Sequence, residues 1–486
     1  MTHRTGRIHF TPVSLMLLAF CVAFVIWSAA YPFSRAFFLA ERDFNEGWNV
    51  YNTQKVAEHQ LLYPKTYDWT AVNYPALSFH IVAALGHYTS EYLFTARLLS
   101  LVSLLVSALF VGLIVWHATH NEFAACFAGM FLVAVFCTVG ADFVGMDDPQ
   151  MFAQVFFLAG LYVYLRGGKR GWAIDLTALL FVLGGNIKHT LIEFPVAVLL
   201  DLIFSSPRKA ARFAIAGLVM VSASLLLTSH IDGPAYISSL LTPREYSGHK
   251  AISTMYHTLR STLLPTLAAF WTARQSWRTP SERVLVLLLV CSLAVGTFFS
   301  GGDGVANNMM FGYLFSIVLL TGIFCSKFMN SYQGRFSDIS PAVICTIFFL
   351  GLAITFVRHR DWHTFADLKQ SRAHAQRFSA EVAYLRQQPG PALCESPLVC
   401  FYADKPYLYD AFNAERFIKQ GKLDANVMVD HLRRHEYGAV QMYEGVESES
   451  SGPWITGEFA PSILQAIQRY YRPVFKNPDG IIYIPR

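Results

Sequence analysis

Charge is scarce in this sequence. Only 15% of its 486 residues are Asp, Glu, Lys or Arg, against roughly 25% in an ordinary soluble domain, which excludes a chain solvated over its whole surface. The net charge of +5 comes without a dense Lys/Arg cluster, so no nucleic-acid surface is indicated. Cysteine pairing motifs are missing too. The eight cysteines contain no CxxC, and Cys21, Cys126, Cys137, Cys291, Cys325 and Cys345 sit in apolar stretches, which argues against zinc knuckles and redox motifs. There is no Walker loop, no nucleophile triad and no clear metal-ligand cluster. No internal repeat is visible, which counts against transporters built from inverted repeats.

What is abundant is apolar and aromatic sequence. Hydrophobic residues make up 54% of the chain, with 40 Phe and 23 Tyr, and the mean hydropathy is +0.36. A membrane-spanning helix needs about 20 largely apolar residues. On that basis spans are expected near 11–33, 95–117, 123–141, 149–166, 172–187, 189–205, 212–230, 259–274, 283–300, 305–325 and 339–357. The first run follows Arg4 and Arg7 and is too long and aromatic for a cleaved signal, so it reads as an uncleaved helix. Residues 74–88 are apolar but short and begin Tyr74-Pro75, which fits an interfacial or dipping segment better than a crossing.

The short loops set an orientation. Arg4/Arg7, Arg166 with Lys169-Arg170, Arg208-Lys209 with Arg212, Arg274 with Arg278 and Arg283, and Lys327 with Arg335 all fall on one side. That side is expected to be cytoplasmic. Residues 34–94, 142–148, 231–258, 301–304 and the chain after about 358 then face outward. From 358 to 486 the composition turns mixed, with helical patterns at 371–388 and 426–435 and strand-like runs at 439–442 and 481–484. The expected architecture is therefore an α-helical polytopic membrane protein. It combines a membrane domain (1–357, first outer loop 34–94) of about 11–13 spans with a small soluble α/β domain (358–486) outside. Cys394 and Cys400 lie in that domain at a spacing that permits a bridge.

Ionisable residues at the outer boundary are the functional candidates. Asp43 and Glu46 are one helical turn apart, with Trp48 and Tyr51 beside them. Asp147-Asp148 precede Pro149 at the start of a helix. Either set is a solvated loop feature or a pair of carboxylates for acid/base work. Arg97 and Lys188-His189 lie at matching depth and suit a phosphate leaving group. Lys188 either snorkels to the interface or is functional because its burial is costly. Gly301-Gly302-Asp303-Gly304 with Asn307-Asn308 is either a phosphate cradle or a capped turn. His249-Lys250 is either a substrate contact or plain surface.

The stretch Asp43-Phe-Asn-Glu46-Gly-Trp48, with Leu62-Tyr63-Pro64, Asn73-Tyr74-Pro75, Ala96-Arg97-Leu98-Leu99 and Asp147-Asp148-Pro149, resembles the GT-C glycosyltransferases. The closer likeness is to the protein mannosyltransferase and aminoarabinose transferase branch. Lys188-His189-Thr190, Leu408-Tyr409-Asp410-Ala411-Phe412, Tyr470-Tyr471 and the ending Ile482-Tyr483-Ile484-Pro485 extend the likeness over most of the chain. The family's adjacent Asp-Glu pair reads Asn45-Glu46 here, so the base is Glu46 or Asp43. The resemblance implies sugar transfer from a polyprenyl-phosphate donor to an acceptor on the outer face. That acceptor is a lipid, a glycan or a protein. Arg97, Lys188 and His189 would meet the lipid phosphate, Asp147 and Asp148 would shape the acceptor side, and Trp48 and Tyr74 would line the substrate. No cofactor is fixed by the sequence, and use of a divalent cation is left open. A bacterial inner membrane location follows from the same likeness and from the lack of an organellar targeting segment. The rival class is a lipid or solute transporter; a surface-polysaccharide polymerase and a membrane scaffold are weaker alternatives.

Overall fold

The computed structural model describes residues 11–331, 340–358, 364–445 and 459–486. Arg4, Arg7 and Arg335, used above for orientation, lie outside them. The chain opens with α1 (Pro12–Arg35), capped by the Thr11 side chain with proline at its first position. The first connection then folds into α2 (Phe44–Ala57) and α3 (Leu77–Thr89). Next come α4 (Tyr92–Thr119), α5 (Glu122–Thr138), α6 (Pro149–Arg166) and α7 (Gly171–Gly185). They are followed by α8 (Glu193–Ser205), α9 (Pro207–Ile231) and the short α10 (Tyr236–Leu240). After α11 (Gly248–Ser261) and α12 (Leu263–Ser276), the bundle ends with α13 (Pro280–Ser300), α14 (Phe311–Ser331) and α15 (Ser340–Arg358).

Among the described residues six helices are long and apolar enough to cross a membrane: α1, α4, α9, α13, α14 with its leading turn, and α15. They differ in what they face. In the most apolar window of α14 94% of residues are buried, against 11% in α9, so α14 is the bundle's axis and α9 presents itself to lipid. Shorter helices reach the core by packing: α5 buries 12 of its 17 residues. Many phenylalanines join this packing. Phe127 stacks on Phe131 at 5.2 Å, and Phe349 meets Phe131 at 5.5 Å and Phe24 at 6.1 Å, tying α1, α5 and α15.

The span expected over 259–274 is divided. The chain leaves helical geometry at Thr262 (φ −120°, ψ 30°), and Pro265, lacking an N–H, prevents an unbroken ladder. Upstream, α11 is amphipathic, turning Met255 and Leu259 to the core while Ile252 and Tyr256 stay exposed. Segment 74–88 becomes α3, whose 13 residues extend about 20 Å, short of the ~30 Å hydrocarbon layer.

The two sets of loops separate physically. Lys169 and Arg283, from two of the basic loops, both bind the fully buried Asp201 at 2.7 Å. At the other end the acidic loops interlock: Asn49 donates to the Asp147 carbonyl (2.7 Å), Leu77 N–H to Asn186 (3.3 Å), Tyr63 N–H to Asp232 (2.9 Å) and Ser247 N–H to Gly301 (2.8 Å).

The C-terminal segment sits on that acidic end. It comprises α16 (Thr364–Arg386), β1 (Ala392–Cys394), α17 (Pro397–Tyr402), α18 (Ala411–Lys419), α19 (Ala425–Arg433) and β2 (Ala439–Met442). It closes with α20 (Pro461–Tyr470), β3 (Tyr471–Asn477) and β4 (Gly480–Pro485). The sheet runs β1-β2-β4-β3, with β1 and β2 parallel and the other pairs antiparallel. A disulfide links Cys394 to Cys400. Its apolar core is shared with the first loop, since Trp48, Leu62, Tyr63 and Phe79 cluster with Leu393, Tyr409, Ala414 and Val440. At Gly47 the approach is closest: a Cβ there would lie 2.2 Å from the Leu398 nitrogen.

Candidate functional site

Where α2 begins, the chain is extended at Asp43 (φ −154°), and the Asp43 carboxylate caps the helix by accepting from the Asn45 N–H at 2.9 Å. A short polar side chain just before a helix is the residue type this position prefers. Its Oδ1 also accepts from the Asn45 side chain at 2.5 Å, while Oδ2 makes no hydrogen bond among the described residues. Burial, with Glu46 and Asp148 nearby, outweighs those bonds and raises its pKa above the ordinary carboxylate value.

Glu46 lies one turn on and points inward. It is fully buried, and both oxygens face Arg97: Nε donates to Oε1 at 2.8 Å and Nη2 to Oε2 at 2.6 Å. The Arg42 N–H (2.9 Å) and the Asp147 N–H (3.1 Å) complete the set. Although burial opposes the charge, Arg97 prevails and holds Glu46 below its usual range. Arg97 spends its other donors on the Phe38 and Ala40 carbonyls, both at 2.7 Å. The pair therefore fixes the first loop to α4 and to the turn before α6. Neither residue lines the main cavity.

That cavity, of about 340 Å³, lies between the first loop, the α7–α8 connection and the turn after α13. Asp43, Tyr74, Asp148, Lys188 and His189 line it, together with Lys250 and with Gly302, Asp303, Gly304 and Asn308 of the candidate phosphate cradle. Lys188 is buried, with its ammonium 3.8 Å from the centre of the Tyr74 ring and 3.7 Å from Asp148. The first is a cation–π contact and the second an ion pair. Asp148 in turn caps α6 through the Gln150 N–H at 2.8 Å. Asp147 points elsewhere, lining a small recess with Asn49 and Ser78. Burial, then Glu46 and Asp148, push its pKa well above the ordinary carboxylate value. Trp48 is packed between Tyr74 and Phe79 and donates to Asp410 at 3.0 Å, bridging the first loop to the C-terminal segment.

The turn after α13 is held by cations. Arg244 donates to the Asp303 carbonyl and Lys250 to the Gly302 carbonyl, each at 3.0 Å, and both cations line the cavity. Asp303 also caps the Gly304 N–H at 2.9 Å. Arg244 was not foreseen. It follows Pro243 in an outward loop with no motif, and that proline-cation turn was its only signal. Among the described residues no group of three or more His, Cys, Asp or Glu side chains is placed to hold a metal ion.

No family model and no curated protein matches this sequence. Solved structures do. ArnT from Cupriavidus metallidurans in the apo state aligns over 96% of this chain and 97% of its own, at 12% identity and a TM-score of 0.64. The same protein bound to undecaprenyl phosphate gives 12% identity over the same shares and 0.61. Oligosaccharyltransferase AglB from Archaeoglobus fulgidus, in complex with an inhibitory peptide and a dolichol-phosphate, aligns over 97% of this chain and 74% of its own, at 10% identity and 0.52. The chain thus shares the fold of these structures, a polytopic helical bundle carrying a small C-terminal domain.

Proposed function

We propose that the protein is a membrane glycosyltransferase that moves a sugar from a polyprenyl-phosphate donor to an acceptor on the extracytoplasmic face, with Asp43 as the base. The observation that carries this reading is a single cavity lined by a half-buried carboxylate with an unengaged oxygen, Asp43, and a buried ammonium, Lys188. The fold supports it: its neighbours have been solved with undecaprenyl phosphate and dolichol-phosphate.

In the reaction the acceptor's hydroxyl or amine gives its proton to Asp43 as it attacks the anomeric carbon. The new bond to carbon forms as the carbon–oxygen bond to phosphate breaks. The electron pair leaves with polyprenyl phosphate, whose growing charge Lys188 balances, with Arg244 and Lys250 at the same cavity. Asp148 and Tyr74 are positioning residues for the ammonium. Glu46 and Arg97, candidates for base and phosphate contact from the sequence, are assigned instead to holding Asp43 in place. His189 lines the donor side, and Asp147 acts on the fold rather than on substrate.

The test is sugar transfer by purified protein from a panel of radiolabelled polyprenyl-phosphate sugars, with membrane extract as acceptor source. Release of polyprenyl phosphate by the wild type but not by Asp43→Asn, with donor binding retained, supports the reading. No release from any donor overturns it.

A further inference from the structure

Asp43 borders a second cavity. About 320 Å³ in volume, it lies between the first loop and the C-terminal segment, and among the described residues Asp43 alone lines both it and the main cavity. Small-molecule sites begin at about this size. The two cavities differ in charge. In the main one Lys188, Arg244 and Lys250 stand against Asp43, Asp148, Glu245 and Asp303. In the second, Arg42 is the one Lys or Arg against Glu41, Asp43, Glu381, Glu444 and Asp479. His374 also lines it, but burial lowers its pKa, so it adds no cation at neutral pH.

Asp479 has its own counter-charge in Arg377, whose Nη2 lies 3.1 Å from Oδ1. Glu41 and Glu381 have no ion pair among the described residues, and their hydrogen bonds come from neutral donors. The hydroxyls of Ser396 (2.5 Å) and Tyr443 (2.7 Å) donate to Glu41. The Gln441 amide (2.9 Å) donates to Glu381, which is 2% exposed. Burial raises their pKa, to about 8 at Glu41 and about 7 at Glu381. The charged groups acting on them, Glu46 and Asp43 on the first and Asp479 on the second, push the same way. A cation entering the cavity reverses this, because the carboxyls then ionise and the ion pairs offset the burial.

Asp43 joins this cavity to the donor phosphate. Its Oδ2 makes no hydrogen bond among the described residues. A displacement at carbon aligns the nucleophile opposite the leaving group. Lys188 lines the main cavity and not the second, so with the phosphate beside Lys188 the second cavity is the side left to the nucleophile. We propose that this second cavity is the acceptor site, and that the acceptor carries an ammonium group, held by Glu41 and Glu381, beside the hydroxyl that attacks. The hydroxyl oxygen bonds the anomeric carbon and its proton passes to Asp43. The carbon–oxygen bond to phosphate breaks with its electron pair on the phosphate, and the ammonium keeps its proton throughout. This rests on the transfer reaction proposed above.

The experiment adds soluble probes to the transfer assay, with full-length protein in detergent and membrane extract as acceptor source. The probes are methyl glucoside, methyl glucosaminide, which has an ammonium in place of one hydroxyl, and methyl glucuronide, which carries a carboxylate. In wild type the glucosaminide is expected to inhibit transfer at concentrations roughly tenfold lower than the glucoside, the scale of one hydrogen-bonded charge contact. The glucuronide should inhibit least. In Glu41→Gln and in Glu381→Gln the glucosaminide preference should fall towards one, while polyprenyl monophosphate, a probe of the main cavity, inhibits as in wild type. Glu41 is partly exposed, so its variant reports even where Glu381→Gln fails to fold. Equal inhibition by the three probes, or none by the glucosaminide, in a wild type that releases polyprenyl phosphate overturns this proposal alone. So does a glucosaminide preference that survives both variants. So does a weakening of monophosphate inhibition as large as that of the glucosaminide, which would mark the two acids as supports of the fold around Asp43. No release by the wild type from any donor overturns the transfer reading and this proposal together.

Discussion

Glu46 meets Arg97 in a two-point ion pair closed off from solvent, with N–O distances of 2.8 and 2.6 Å, and the pair joins the first loop to α4. Asp43, three residues earlier, caps α2 and lines the cavity. Two carboxylates on one helical turn thus have opposite surroundings, and each makes a different prediction when neutralised.

Arg97→Ala leaves a buried carboxylate without its partner, which costs about 3–5 kcal/mol. The expected result is a large drop in thermal midpoint and in folded yield, with activity lost in proportion. Asp43→Asn should leave the midpoint nearly unchanged, because asparagine caps a helix as well as aspartate does, while transfer falls by roughly 10²–10⁴-fold, the scale of a general base. Thermal unfolding beside a transfer assay checks both. An Arg97→Ala protein that unfolds like wild type contradicts the clamp, and an active Asp43→Asn contradicts the base.

The base also fixes the sign of the pH profile. As the proposed base Asp43 would act only when ionised, and burial raises its pKa above the usual carboxylate range. Activity should therefore fall on the acid side, with a midpoint above the ~4 of an unperturbed carboxylate. Measuring kcat against pH with saturating donor checks this. A profile flat down to pH 4 would remove Asp43 from the proton transfer.

How far the sequence foretells this site depends on how local each cause is. Hydrophobic length placed most helices, because crossing a membrane is decided residue by residue. Asp43 and Asp148 stood out as acids at the outer boundary of the membrane, and Lys188 as a cation inside apolar sequence, where its burial is costly. The division of labour between Asp43 and Glu46 was hidden, since it depends on Arg97 arriving from 51 positions downstream. The break at Thr262 was missed because the apolar content continues through it, although Pro265 was there to signal it.

Sidedness is open to a direct check. Three membrane-length helices, α13, the 307–331 segment and α15, separate Arg283 from the end of Arg358. Compartment reporters fused after Arg283 and after Arg358 should then report opposite sides, the first cytoplasmic. Two signals from one side would remove the assignment of the cavity to the outer face.

The join between the first loop and the C-terminal segment should itself respond to pH through Asp410. This carboxyl is fully buried, and burial raises its pKa from 3.8 to about 6, despite the bonds from Asn413 and Trp48. Between those values the unfolded chain gives up the proton while the native protein keeps it, so native stability falls as pH rises. The penalty is absent below about pH 4 and complete above about pH 6, and a shift of this size corresponds to about 3 kcal/mol. Asp410→Asn cannot ionise, and its single carbonyl oxygen keeps either the Asn413 N–H or the Trp48 indole but not both, a loss that is the same at every pH. Wild type should therefore lose thermal stability between pH 4 and 6 more steeply than Asp410→Asn, and the two curves should run parallel above pH 7. Glu381, whose pKa burial raises to about 7, adds a decline common to both proteins, so the difference between the curves isolates Asp410. Coincident curves across the whole range would mean that Asp410 is ionised in the native protein at pH 4. The Trp48–Asp410 contact would then be a charged hydrogen bond rather than a neutral one.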